Sequence, residues 1–276
     1  YMDWTPFFQA WELHGRYPDL LQDEVVGEAA TKLFEDAQQM LSWVVSNKKL
    51  TAKAVWGIFP ACSTMDDRLI MDNRWEFPML RQQIAKAGDL PNFCLTDFVA
   101  PQESGVQDWA GVFAVGIFGA EELAQHYQSV HDDFSAILVK ALADRLAEAL
   151  AEALHARVRQ EDWGYAPMEQ YSNTDLIAEK YQGIRPAPGY PACPDHLDKP
   201  TIWKMLEVEE RLGMQLTESL AMTPAAAVSG FYLGHPQAKY FGVGKIAVDQ
   251  LEDYALRRGL DLEEAKRWLA PVLLDA

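Results

Sequence analysis

Apolar residues recur at every third or fourth position between about Asp23 and Val45, where Val25, Val26, Ala29, Leu33, Ala37, Met40, Leu41 and Val44 form one stripe. That period predicts a helix. Ala54-Val-Trp-Gly-Ile-Phe59 is uninterrupted and rich in β-formers, so it reads as a buried strand, with Pro60 expected to stop it. Arg68 to Met71 suggests a second strand, Leu80 to Ala87 a helix, and Phe93 to Val99 a strand ended by Pro101. Trp109 to Phe118 is apolar and broken by glycine, the pattern of a central strand.

The longest periodic stretch runs from about Ala120 to Arg159, with His131 to Phe134 as the place for a break. Leu123, Tyr127, Val130, Phe134, Ile137, Leu138, Ala141, Leu142, Leu146, Leu150 and Leu154 make its apolar face. Asn173 is placed to cap a short helix reaching Tyr181, with Asp175 favouring the positive end of the helix dipole. Gln182 to Pro194 then holds four prolines and two glycines in thirteen residues, which neither a helix nor a central strand accepts, so a stiff loop is expected. Lys199 to Leu212 reads as a helix. Ala227 to Leu233 and Ala238 to Val243 read as a hairpin turning at His235-Pro236, and Ile246 to Arg258 and Leu262 to Leu269 as closing helices. Strands and helices do not alternate strictly, which favours α+β over a doubly wound sheet.

Composition narrows the function classes. With 24 basic and 41 acidic side chains, the net charge of −17 argues against a general nucleic-acid binder and against a polybasic membrane-surface protein. No run approaches the ~18 apolar residues of a membrane span. Cys62, Cys94 and Cys193 are odd in number and form no C-x-x-C pair, which suits a reducing cytoplasm better than a disulfide framework. The opening Tyr1-Met-Asp-Trp4 carries no signal-peptide pattern and reads as an interior stretch of a larger polypeptide.

Familiar catalytic signatures are missing. Ala110 to Ala120 runs from strand to helix through Gly111, Gly116 and Gly119. It lacks G-x-G-x-x-G spacing and no Lys-Ser/Thr follows, so a glycine-bearing core strand outweighs a phosphate loop. His14, His126, His131, His155, His196 and His235 form no metal-ligand spacing, and Cys193-Pro-Asp-His196 stands alone in the proline loop. No G-x-S-x-G elbow is present, and Asp132-Asp133 is unremarkable in an acidic chain.

The proline loop carries the sharper signal. Arg185-Pro-Ala-Pro-Gly189-Tyr190-Pro-Ala-Cys193-Pro194 resembles the R-x-x-x-G-Y loop in the activation domain of cobalamin-dependent methionine synthase. The resemblance extends in order along the chain. It includes Asp3-Trp-Thr-Pro-Phe-Phe8, Asp97-Phe-Val-Ala-Pro101, His131-Asp-Asp133, Lys140-Ala-Leu-Ala-Asp-Arg-Leu-Ala-Glu148 and Trp163-Gly-Tyr-Ala-Pro167, then Leu216-Thr-Glu-Ser219 and Trp268-Leu-Ala-Pro271. Asp66 to Pro78 departs from the family and suggests a shortened peripheral hairpin. The D-x-H-x-x-G cobalamin motif and the folate and homocysteine modules are absent from the sequence.

The resemblance implies a single α+β domain over residues 1–276, with a mostly antiparallel central sheet flanked by long helices, cut from a longer multidomain chain. It implies S-adenosylmethionine as ligand, cobalamin held by another domain or chain, and a flavodoxin-type electron donor. Among the residues, it implies that Arg185 grips the ligand carboxylate, a role suited to a planar guanidinium. Gly189 and Tyr190 would complete the loop, and Asp3 would face the ligand's amino end. Glu148 and Glu179 would lie nearby, and the pair Tyr240-Phe241 would line the site, one of the two packing inward. Each has a plainer alternative: a surface ion pair for Arg185, loop packing for Tyr190, a turn residue for Asp3, solvated helix charges for the glutamates. A docking module without its own methyl donor is the competing function.

Overall fold

A computed structural model describes residues 1–88 and 90–274. In chain order the helices are α1 (Thr5–Ala10), α2 (Gly27–Ser46), α3 (Ala120–Ser129), α4 (Asp133–Arg157), α5 (Asn173–Ile177), α6 (Lys199–Leu206), α7 (Val208–Leu212), α8 (Val248–Arg258) and α9 (Leu262–Leu269). The strands are β1 (Thr51–Ser63), β2 (Arg68–Met71), β3 (Trp75–Pro78), β4 (Asp108–Phe118), β5 (Gln215–Leu216), β6 (Met222–Thr223) and β7 (Ala227–Tyr232). Five of them form a sheet in the order β3-β2-β1-β4-β7 with every neighbouring pair antiparallel, and β5 and β6 pair separately. This is the α+β architecture the pattern predicts.

The central strand β4 is buried from Ala110 to Ile117, between β1 and β7. On one face, Phe113, Val115 and Tyr232 pack against Ala151, Leu154 and Val158 at the C-terminal end of α4. On the other, Val112, Ala114 and Phe231 meet Ile202, Trp203 and Leu206 of α6. A separate cluster of Trp4, Phe7, Phe8, Leu33, Leu138 and Leu142 seats α1 and α2 on the N-terminal half of α4. Helix α4 is therefore enclosed on several sides.

Several expectations are corrected. Pro60 does not end β1: it lies beside Trp109 in the ladder, and its carbonyl still accepts from the Asp72 N–H at 2.9 Å. Residues 80–87 form no helix, and side chains from α8 bond the backbone at and just before their start. Gln250 donates to the Arg81 carbonyl and Arg257 to that of Met79, while Leu80 enters the α8–α9 core. Residues 93–99 are not a strand. The Asp97 carboxylate captures the Cys94 N–H at 2.8 Å and curls the chain into a 3₁₀ turn. The long helix does break where expected, at His131, whose φ of +61° precedes the capping Asp132 of α4. Ser172, not Asn173, caps α5, in a reciprocal box with Asp175. Glu207, at φ +52°, divides the helix expected over 199–212.

The hairpin expected after β7 is absent as well, and the reason positions the site. The free edge of β7 is taken by the proline loop. Ile184 and Leu233 exchange backbone bonds at 2.9 and 3.0 Å, and the Phe231 N–H donates to the Pro186 carbonyl at 2.9 Å. A Cβ on Gly230 would come within 2.4 Å of that carbonyl, so only glycine admits the loop there. Residues 238–243 fold back over the loop instead, with the Val243 N–H donating to the Pro191 carbonyl at 2.8 Å.

Candidate functional site

The proline loop is locked from both ends. At its tip Gly189 lies at φ +94°, its N–H bonded to the Cys193 carbonyl at 2.7 Å, and the Cys193 N–H returns to Tyr190 at 2.9 Å. Behind the tip, Asp195 accepts a bond from Tyr254, and Asp198 pairs with Arg258 at 2.6 Å, so buried side chains of α8 hold the base of the loop. At the other end Arg185 leaves the β7 edge with its N–H bonded to the Tyr240 hydroxyl at 3.0 Å.

The Arg185 guanidinium turns toward α4. Its Nη2 pairs with Glu152 Oε2 at 2.7 Å, and its Nη1 donates to the Tyr181 hydroxyl at 2.7 Å and lies 3.4 Å from His155 Nδ1. Among the described residues Arg185 Nε makes no hydrogen bond, so one N–H donor on that edge is left available. Burial pushes the Glu152 carboxyl up, and the guanidiniums of Arg185 and Arg159 draw it back. His155 is fully buried, its ring stacked on Tyr232 with centroids 5.2 Å apart. Burial holds its basicity well below the ordinary 6.5, and both arginines press the same way.

The residues expected at the site fall into two groups. Arg185, Gly189, Tyr190, Tyr240, Glu148 and Glu179 converge. Tyr190 is 56% and Tyr240 37% exposed, so the aromatic rim is open. Burial raises the Tyr190 phenol and the nearby Glu148 carboxylate raises it further. Glu179, at φ +53°, has its carboxyl raised by burial and lowered by the charge of Arg185. Phe241 instead packs inward between Phe93 and Phe98, with centroid distances of 6.0 and 6.4 Å. Asp3, one residue before the Trp4 N-cap of α1, accepts the Thr5 N–H at 3.0 Å. No hydrogen bond or ion pair joins it to the rest of the set among the described residues. The neighbouring Met2 carbonyl does accept from Asn173 on α5, the helix leading to Glu179 and Arg185.

Sequence reasoning missed Glu152, His155, Arg159 and Tyr181. A signal for the first three was present: Glu148, Glu152, His155 and Arg159 recur at helical spacing through the C-terminal half of α4 and just past it. A polar stripe on a stretch of helix whose neighbouring positions are mostly buried marks a face turned to something polar.

Two comparisons with known proteins give matches over most or all of the chain. Residues 1–259 match the family described as vitamin B12 dependent methionine synthase, activation domain. Among solved structures, the chain is similar to a crystal structure of the MetH reactivation domain bound to AdoHcy. Identity is 52%, the TM-score is 0.94, and the match covers 100% of this chain and 86% of that one.

Proposed function

Since the chain belongs to the activation-domain family of vitamin B12-dependent methionine synthase, we infer that the cleft between the proline loop, α4 and the Tyr240 segment is where it holds S-adenosylmethionine. The domain's task is reactivation, binding this donor for the reductive methylation of cobalamin. The donor carries a methyl group on a sulfonium that is its own leaving group, and cobalamin, held by the cobalamin-binding domain of the synthase, would supply through its reduced cobalt the electron pair that takes it. An acid or base from this chain is not required by that chemistry.

The residues present fit such a donor. The available edge of Arg185 matches an α-carboxylate. Glu148 and Glu179 offer negative charge to the ammonium and sulfonium, and Tyr190 and Tyr240 offer aromatic faces. Gly189 exposes backbone at the loop tip. Asp3 reaches the ligand's amino end from the N-terminal side, while Phe241 supports the rim from beneath. The contribution of the protein is then orientation, a preset pose in which the methyl group faces outward. A flavodoxin-type protein is the electron donor we propose, in a reducing cytoplasm consistent with the free thiols of Cys62, Cys94 and Cys193. No described helix is long and apolar enough to cross a membrane.

The observation that carries the assignment is the preset Arg185 with a donor edge to spare. Calorimetric titration with S-adenosylmethionine, comparing the parent with Arg185→Ala, tests it. Loss of a charged hydrogen bond costs about 1.5–3 kcal/mol, a roughly 10- to 150-fold weaker Kd. Equal affinity in both proteins would remove Arg185 from the site.

A further inference from the structure

Arg185 belongs to a group of four charged side chains, the other three buried, that donor binding alone does not account for. Arg159 is fully buried and Glu152 and Glu169 nearly so, their side chains 0%, 8% and 5% exposed. Two guanidiniums face two buried carboxylates, and the Glu179 carboxyl lies near Arg185 and Glu152 as well. The distances assign the partners. Arg159 is bound by Glu169 through Nε at 2.9 Å and Nη2 at 2.8 Å, and lies only within 3.8 Å of Glu152. Glu152 instead meets Arg185 at 2.7 Å. Arg159 therefore has its counter-ion without Glu152, and the closest charged contact of Glu152 is Arg185.

Resting on the reading of Arg185 as the carboxylate grip, we propose that Glu152 is its positioning residue: from α4 it fixes the guanidinium, with Tyr181, so that the remaining donor edge faces the ligand carboxylate before the ligand arrives. An unpaired arginine explores many rotamers and must lose that freedom on binding, a loss of affinity that Glu152 removes in advance. Removing its charge takes away the closest counter-ion of Arg185, which is less buried than Arg159 and turns to water.

A carboxylate-selective test separates positioning from general support of the fold. Kd is measured for S-adenosylmethionine and for its decarboxylated analogue, which keeps the sulfonium, ammonium and adenosine. Glu152→Gln keeps the shape and an acceptor oxygen. It is expected to weaken S-adenosylmethionine about tenfold and the analogue less than about twofold. Equal loss for both ligands, no loss, or tighter binding of S-adenosylmethionine through relief of a competing anion overturns the proposal. Should Glu152→Gln fail to fold, Tyr181→Phe removes the other tether without changing charge. It is expected to give the same selectivity at about threefold, and unselective or absent loss overturns the proposal equally. Arg185→Ala in the same assay tells the two readings apart. If it weakens both ligands alike, the carboxylate grip itself fails. If it is selective while Glu152→Gln is not, only the positioning role fails.

Discussion

At the scale of single residues, Gly189 is where backbone conformation and site geometry are hardest to separate by inspection and easiest to separate by substitution. Its φ of +94° lies in the region that side chains disfavour, and a Cβ would stand 2.0 Å from the His196 ring. Gly213, after α7, has a φ of +77° with nothing within 4 Å of a Cβ. Alanine at 213 pays only for backbone strain, about 1 kcal/mol. Alanine at 189 adds the collision and displaces the loop tip, so we expect a loss of about 2 kcal/mol or more and a roughly tenfold weaker Kd for S-adenosylmethionine. Thermal melts and titration of the two variants check this. A Gly189→Ala protein that binds like the parent would mean the ligand does not need the close approach of the loop. Arg185 and Gly189 were legible because prolines punctuate the loop and the R-x-x-x-G-Y motif is local. Glu152 was not, because its meaning depends on a partner 33 positions away.

At the scale of elements, α4 organises the molecule by presenting different faces to different neighbours. Ala143, Ala147, Ala151 and Leu154 meet the sheet, Leu138 and Leu142 meet α1 and α2, and Glu148, Glu152 and His155 face the loop. Periodicity revealed the helix and its apolar face, but a one-stripe reading cannot tell a helix buried on several sides from a surface helix. The same limit explains residues 80–87 and 238–243. Their patterns are locally compatible with helix and strand, yet their backbone groups are claimed by α8 and by the proline loop, contacts no local rule contains. The division of faces on α4 predicts that stability and binding separate. Leu142→Ala opens a cavity in the α1–α2 cluster, where the parent side chain is fully buried, and is expected to cost 2–5 kcal/mol in urea unfolding. The folded variant should keep the donor Kd within about twofold. A large affinity loss would show that the N-terminal cluster reaches the site after all.

For the whole molecule, the buried histidine beneath the loop couples folding to pH. His155 is neutral in the folded chain because burial and then Arg159 and Arg185 oppose its charge, whereas the unfolded chain protonates it near 6.5. A group whose folded basicity is depressed gives stability that is fully present above its unfolded value and is lost as pH falls below it, because the unfolded state then binds the extra proton. One such group contributes a slope of up to about 1.4 kcal/mol per pH unit below 6.5. His196 is depressed in the same direction by burial and by Lys199, so it adds to the slope. Glu152, raised by burial, acts oppositely at lower pH, where the folded state takes up its proton more readily than the unfolded one. A chain of net charge −17 also loses self-repulsion as it is acidified, which favours the compact state and partly masks the histidine term. Absolute pH profiles are therefore mixtures, and the informative quantity is a difference. We expect His155→Gln, which stays neutral throughout, to lose less stability than the parent between pH 7 and pH 5.5, the two urea-derived curves converging as pH falls. Parallel curves would mean that His155 takes up a proton in the folded protein as freely as in the unfolded one, and the buried pocket between Arg159 and Arg185 would then have to admit a third positive charge.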